Sequence, residues 1–264
     1  MERSDADELD ADAADLIEAL TRPKRRIRPR LAEALRSAEE RDVATPQGGV
    51  KAWRFGAGRA TLLVHGWDDD NCLWGALAEK FAEIGRAVVA LDLPGHGFSP
   101  AEDPSLKSAA AAIDAVARSL GPIDSIVAHS FGCPASVAAM VNGLPIGRIA
   151  LVATPLPNAA NRWARAKRAG VPQAVIDRAA ELYAARPDAA EPVFDMAAAV
   201  PSLQAKALFV HSLDDDQCPA ADAERLRGLW PGAKLALMDG LGHRLIAQDA
   251  ATLARIVAFI DAAD

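Results

Sequence analysis

The sequence predicts an α/β fold built on a mostly parallel, doubly wound sheet. Two observations carry this expectation. Short apolar runs rich in Val, Ile and Leu recur without polar alternation, the composition of strands covered on both faces. Helix-like stretches separate them, so successive strands are joined by right-handed crossovers. At 264 residues the chain is long enough for one large domain with an insertion.

The strong runs are ATLLVHG (60–66), AVVALD (87–92), SIVAHS (125–130), RIALVAT (148–154), ALFVHS (207–212) and KLALMDG (234–240). Two weaker strands, Arg41–Thr45 and Val50–Phe55, flank a Gln47-Gly48-Gly49 turn ahead of the series. Helices are expected over Leu73–Ile84, Ser108–Leu120, Pro134–Asn142, Ala220–Leu229 and Leu245–Ala262. Residues 155–205 separate two strands by far more than a crossover needs. They read as an inserted helical lid with helices near Asn161–Ala169 and Pro172–Ala185. Residues 1–40 precede every strand and form an N-terminal extension. Leu9, Ala13, Leu16, Ile17 and Leu20 recur at helical spacing, and RPKRRIRPR (22–30) carries six positive charges among prolines. That arm reads as a solvated linker between two surface helices, with a nucleic-acid or acidic-partner arm as the alternative. The core is thus 41–154 and 206–264.

Half of the residues are hydrophobic, a quarter are charged and the net charge is −7. The balance argues against bulk nucleic-acid binding. No apolar run is long enough to span a membrane. The N-terminus MERSDADELDADAADL is acidic and lacks the apolar region of a secretory signal. Cys72, Cys133 and Cys218 fit neither a disulfide framework nor a zinc site, so they read as reduced thiols in a cytoplasmic protein.

In an open parallel sheet, ligands bind at the carboxyl ends of the strands. One run ends in Ala128-His129-Ser130-Phe131-Gly132, where a strand stops, a serine follows and a helix begins. Small residues two before and two after the serine allow a tight turn that exposes its hydroxyl. Pro134 suits the helix's first turn. Another run ends in His65-Gly66-Trp67; lying beside the serine, the main-chain N–H groups of Trp67 and Phe131 would face a developing oxyanion. Asp92-Leu93-Pro94-Gly95-His96-Gly97 reads as a structural loop despite its acid and histidine. Asp239-Gly240-Leu241-Gly242-His243 lets a histidine swing over the sheet edge as general base.

From about residue 41 to 264 the chain resembles the α/β-hydrolases. The resemblance rests on strand rhythm, His65-Gly66, the Asp92–Gly97 loop, the Ala128-x-Ser130-x-Gly132 elbow and the late Gly-His243. The chain departs from the usual pattern at Ala128 and at Ser212, where glycine is common. Similar hydrolases end the penultimate strand as His-Gly-x-x-Asp-x-x-Val-Pro. Laid on His211, Ser212, Asp215, Cys218 and Pro219, that pattern implies Asp215 as the acid that orients His243. Asp214 and Asp216 are then solvated flanks. The second aspartate triple, Asp68 to Asp70, reads as a helix start and acidic rim rather than a metal site.

The resemblance implies a serine esterase. A Ser130–Asp215–His243 triad would hydrolyse a carboxylic ester or thioester, a small molecule, through an acyl-enzyme and without cofactor or metal. The alternatives are a carbon–carbon bond hydrolase, a cofactor-free perhydrolase, or a ligand-binding sensor of low turnover. Arg162, Arg165, Lys167 and Arg168 in the lid read as a solvated face, or as an attractor for an acidic substrate tail or an acidic carrier protein.

Overall fold

The computed structural model describes residues 5–30, 32–157, 163–186 and 193–263. An eight-stranded sheet forms its centre. The strands are β1 (Glu39–Thr45), β2 (Gly48–Phe55), β3 (Ala60–Val64), β4 (Ala87–Leu91), β5 (Ile123–His129), β6 (Arg148–Val152), β7 (Lys206–Ser212) and β8 (Lys234–Met238). Their order is β1-β2-β4-β3-β5-β6-β7-β8. β2 pairs antiparallel with β1 and with β4, and every later pairing is parallel.

Strand periodicity explains the two covered faces. Leu62, Val64, Ile126 and Ala128 point into one core layer, while Leu63 and Val127 point into the other. The first layer packs under α4 (Leu106–Leu120), α5 (Gly132–Val141) and α9 (Ala220–Leu229), and the second under α2 (Glu33–Arg36), α3 (Gly75–Glu83) and α11 (Ala250–Ile260). Trp53, Trp74, Phe81, Phe209 and Trp230 are fully buried; a phenylalanine so placed contributes about 1.5–3 kcal/mol. The helix starts have local causes. The Ser105 hydroxyl accepts the Ser108 N–H at 3.2 Å, and Asp249 Oδ2 accepts the Thr252 N–H at 2.8 Å. That second cap starts the expected Leu245–Ala262 helix at Ala250 instead, as α11, while Leu245 ends the short α10 (Gly242–Leu245).

The N-terminal arm differs from the solvated linker the sequence predicts. Helix α1 (Asp5–Thr21) buries Ala13 and Ile17 against Ala179 of α7 (Gln173–Ala184), and Arg178 Nε meets Asp10 Oδ1 at 2.6 Å. The basic stretch then crosses the loops after β3 and β4. Lys24 N–H donates to Asp68 Oδ1 at 2.6 Å, and Arg28 N–H to Asp70 Oδ2 at 3.0 Å. The Arg28 guanidinium pairs with both Asp69 and Asp70. Arg25 donates to the Gly97 and Ser99 carbonyls at 3.2 and 2.6 Å, and Arg30 lies 4.0 Å over the Trp53 ring. The physical reason is charge pairing: Asp69 and Asp70 are buried, not an exposed rim, and buried carboxylates need cationic partners. Asp70 also caps the 3-10 turn Asn71–Trp74 by accepting the Cys72 N–H at 2.9 Å.

Between β6 and β7 the described residues hold α6 (Ala164–Arg168), α7 and α8 (Met196–Ala199). The start of the expected Asn161–Ala169 helix, with Arg162, lies outside the described residues. No described helix is long and apolar enough to cross a membrane.

Candidate active site

The strand order places the site. β3 and β5 are neighbours, but the chain leaves β3 toward β4 on one side and leaves β5 toward β6 on the other. A crevice opens at such a switch, beyond the carboxyl ends of both strands.

Ser130 stands at that point, between β5 and α5, with φ +50. A side chain in this left-handed region is strained, and the turn is held by Ser130 N–H to the Val152 carbonyl at 2.9 Å and by Cys133 N–H to the Ser130 carbonyl at 2.9 Å. Two glycines permit the close approach of the β3 loop. A Cβ on Gly66 would lie 2.9 Å from both Ser130 Cβ and His129 Nδ1, and one on Gly132 would lie 2.5 Å from the His65 carbonyl oxygen. The loop therefore runs directly against the elbow. It brings Trp67 beside Phe131, with ring centroids 5.2 Å apart. Neither the Trp67 nor the Phe131 main-chain N–H has an acceptor among the described residues.

His243 reaches the serine from the loop after β8. Its Nε2 lies 2.9 Å from Ser130 Oγ and its Nδ1 lies 2.8 Å from Asp215 Oδ2. This fixes the tautomer: Nδ1–H donates to the carboxylate and Nε2 accepts the serine hydroxyl. Asp215 Oδ1 accepts the Gln217 and Cys218 N–H groups at 2.9 and 2.8 Å. Burial pushes the Asp215 carboxyl up, but hydrogen bonds from His211 and His243 outweigh it and hold the group well below the usual carboxylate range.

Sequence reasoning misses two supporting histidines. His211 Nε2 lies 3.3 Å from Asp215 Oδ2 and 3.0 Å from the Cys218 carbonyl. His129 Nε2–H donates to the His243 carbonyl at 2.8 Å, and burial, with His243 nearby, holds the His129 ring down at about 3. The available signal is position: each stands at the end of a strand that delivers a site residue.

Asp92 is not a competitor for the acid's role. Its Oδ1 accepts the Asn71 N–H and Nδ2–H at 2.7 and 2.8 Å, and its Oδ2 accepts the Phe98 N–H at 2.8 Å. His96 donates Nδ1–H to the Pro94 carbonyl at 2.8 Å and packs 5.5 Å from the Trp67 ring. Asp214 differs from the solvated flank the sequence predicts. It is exposed, yet Oδ1 accepts the Gly242 N–H at 3.1 Å and the Ser212 hydroxyl, because the turn folds back onto the His243 loop. Asp216 is exposed, and its carbonyl accepts Arg168 Nε–H at 3.1 Å. Among the described residues no group of three or more His, Cys, Asp or Glu side chains converges on a point where a metal ion would sit.

The sequence pattern of the alpha/beta hydrolase family matches residues 61–256, and the chain belongs to that family. Several solved structures share the fold. An esterase of Pyrococcus furiosus is 15% identical at a TM-score of 0.71, covering 90% of this chain and 98% of its own. An Exiguobacterium antarcticum esterase is 16% identical at 0.66, covering 85% of this chain and 100% of its own. A Rhodococcus esterase is 17% identical at 0.64, covering 84% and 98%. No curated protein matches the sequence.

Proposed function

We propose that the protein is a serine hydrolase that cleaves a carboxylic ester or thioester of a small molecule through an acyl-enzyme. The observation that carries this reading is the unbroken chain from Ser130 Oγ to His243 Nε2 at 2.9 Å and from His243 Nδ1 to Asp215 at 2.8 Å. The esterases of the same fold support it.

Ser130 Oγ attacks the acyl carbon while His243 Nε2 takes its proton. The imidazolium that forms faces Asp215, which stays ionised because its carboxyl is held low. The carbonyl oxygen becomes an oxyanion beside the free N–H groups of Trp67 and Phe131. His243 returns the proton to the leaving alcohol or thiol, and an acyl group remains on Ser130. Water, deprotonated by His243, attacks that acyl carbon; the acid leaves and Ser130 recovers its proton. No step calls for a cofactor or a metal ion.

Residues 155–205 are the proposed lid that sets substrate choice, and α1 packs on its helix α7. The basic arm binds the chain's own aspartates and carbonyls, which favours a structural role for it over a nucleic-acid or acidic-protein contact. Three free cysteines, of which Cys133 is buried, suit a reducing cytoplasm. The deciding experiment treats the protein with a fluorophosphonate probe and maps the adduct by mass spectrometry. The expected adduct is on Ser130, with turnover of nitrophenyl esters; labelling elsewhere, or none, would refute the reading.

A further inference from the structure

The turn that carries Asp215 also grips the backbone of the histidine loop. Ser212, the buried last residue of β7, accepts the Leu241 N–H on Oγ at 3.2 Å and donates its hydroxyl to Asp214 Oδ1. The same carboxylate oxygen accepts the Gly242 N–H at 3.1 Å. Leu241 and Gly242 are the two residues before His243. Gly240 and Gly242 sit at φ +73 and +55, so this loop is built from backbone with wide conformational freedom. A loop of that kind fixes a side chain only if something else fixes the loop.

An ordinary turn stabilised by Ser or Asp bonds to main chain two or three residues away. Here the partners lie 28 and 29 residues downstream, so the bonds tie two separate segments together. On its far side His243 is held by its own carbonyl, which accepts from His129. Its ring is held by Asp215. Ser212 also stands where the resembling hydrolases commonly carry glycine, which offers no hydroxyl. The Asp214 carboxyl is held below its ordinary range by the Ser212 hydroxyl and the Gly242 N–H, as a carboxylate with fixed donors should be.

We infer that Ser212 and Asp214 are positioning residues: together they clasp Leu241 and Gly242 and so aim His243 at both Asp215 and Ser130. This rests on the reading of His243 as general base. A loop free to shift by an ångström would leave substrate binding intact and slow proton transfer.

The test uses the full chain with nitrophenyl acetate and compares wild type with Asp214→Ala, Asp214→Asn and Ser212→Gly. Asp214→Ala and Ser212→Gly are expected to lower kcat about 10- to 100-fold with KM within about twofold. Asp214→Asn keeps an oxygen for both donors and is expected to stay within about threefold of wild type. A role confined to stability would instead lower the thermal midpoint without moving kcat at 25 °C, and that result would overturn the inference. Equal losses in Asp214→Ala and Asp214→Asn would overturn it too, because charge rather than the clasp would then be at work. A second readout does not need turnover: the far-downfield proton resonance of His243 Nδ1–H. It is expected to broaden in Asp214→Ala and Ser212→Gly and to persist in Asp214→Asn. If wild type neither turns over nor labels with fluorophosphonate, the esterase reading falls, and this resonance alone decides the clasp. An unchanged resonance in all variants would refute it.

Discussion

His243 Nδ1 and Asp215 Oδ2 are 2.8 Å apart, although 28 residues separate them in the chain. That contact picks one aspartate out of three consecutive ones. Asp215 points inward with its side chain fully buried, while Asp214 and Asp216 are exposed.

Asp215→Asn keeps the shape but replaces an acceptor oxygen by an amide and removes the charge that faces the imidazolium. The histidine can then settle in the wrong tautomer, and kcat should fall by about 10⁴-fold, the size of the loss when the same exchange is made in a serine-protease triad. Asp216→Asn should remain within a few-fold, since only its main-chain carbonyl is engaged. Steady-state kinetics on the two variants side by side checks this; a dead Asp216→Asn would displace Asp215 from its role.

Ser130→Ala removes the proposed attacking oxygen. Hydrolysis should fall by about 10⁴-fold or more while the fold persists. The left-handed turn is made by main-chain bonds to Val152 and Cys133, which alanine leaves in place. Circular dichroism and the thermal midpoint report the fold, and ester turnover reports the nucleophile. Activity within tenfold of wild type would assign the attack elsewhere.

Each strand lies within two residues of where the sequence puts it; for the inner strands β3 to β7 this is because a strand covered on both faces must be a short apolar run whatever surrounds it. Ser130 and His243 are legible for a similar reason: their signals are local, a strand-to-helix turn and a glycine-flanked loop. Asp215 needs a family pattern to separate it from its neighbours. What stays hidden depends on partners far along the chain. Arg28 reads as a solvated cation until Asp69 and Asp70 are brought beside it, 41 and 42 residues later. The Asp214 carboxylate reads as solvated until Gly242 arrives, 28 residues on.

Arg28→Ala tests the strap. The substitution leaves the buried Asp69 and Asp70 carboxylates without their main cation; among the described residues Arg244 alone remains, 3.5 Å from Asp69. Stranding buried charge costs about 3–5 kcal/mol in dry sites, and the lower end applies here because Arg28 is about a third exposed. The thermal midpoint should drop by several degrees. Arg22→Ala, at an exposed pair with Glu18, should leave it unchanged. Equal midpoints for the two variants would return the arm to the status of a solvated linker.

Acid should destabilise the protein in two stages, and the histidines set the first. Burial holds His129 and His96 at about 3, against 6.5 in an unfolded chain. Between those values the unfolded chain takes up protons that the folded protein refuses, so stability falls as pH falls. Each ring contributes a slope of about 1.4 kcal/mol per pH unit across that window. Asp215 acts later: its lowered carboxyl stabilises the fold above its ordinary value of 3.8, and that contribution is lost on going further down. Denaturant unfolding at a series of pH values measures the slope directly. His129→Gln keeps a donor for the His243 carbonyl but has no titrating ring. It should therefore lose one proton's worth of slope between pH 6.5 and about 3 and leave the Asp215 contribution below 3.8 in place. An identical slope in wild type and His129→Gln would mean that His129 takes up its proton in the folded state as readily as in the unfolded one, and the buried neutral ring beside His243 would have to be abandoned.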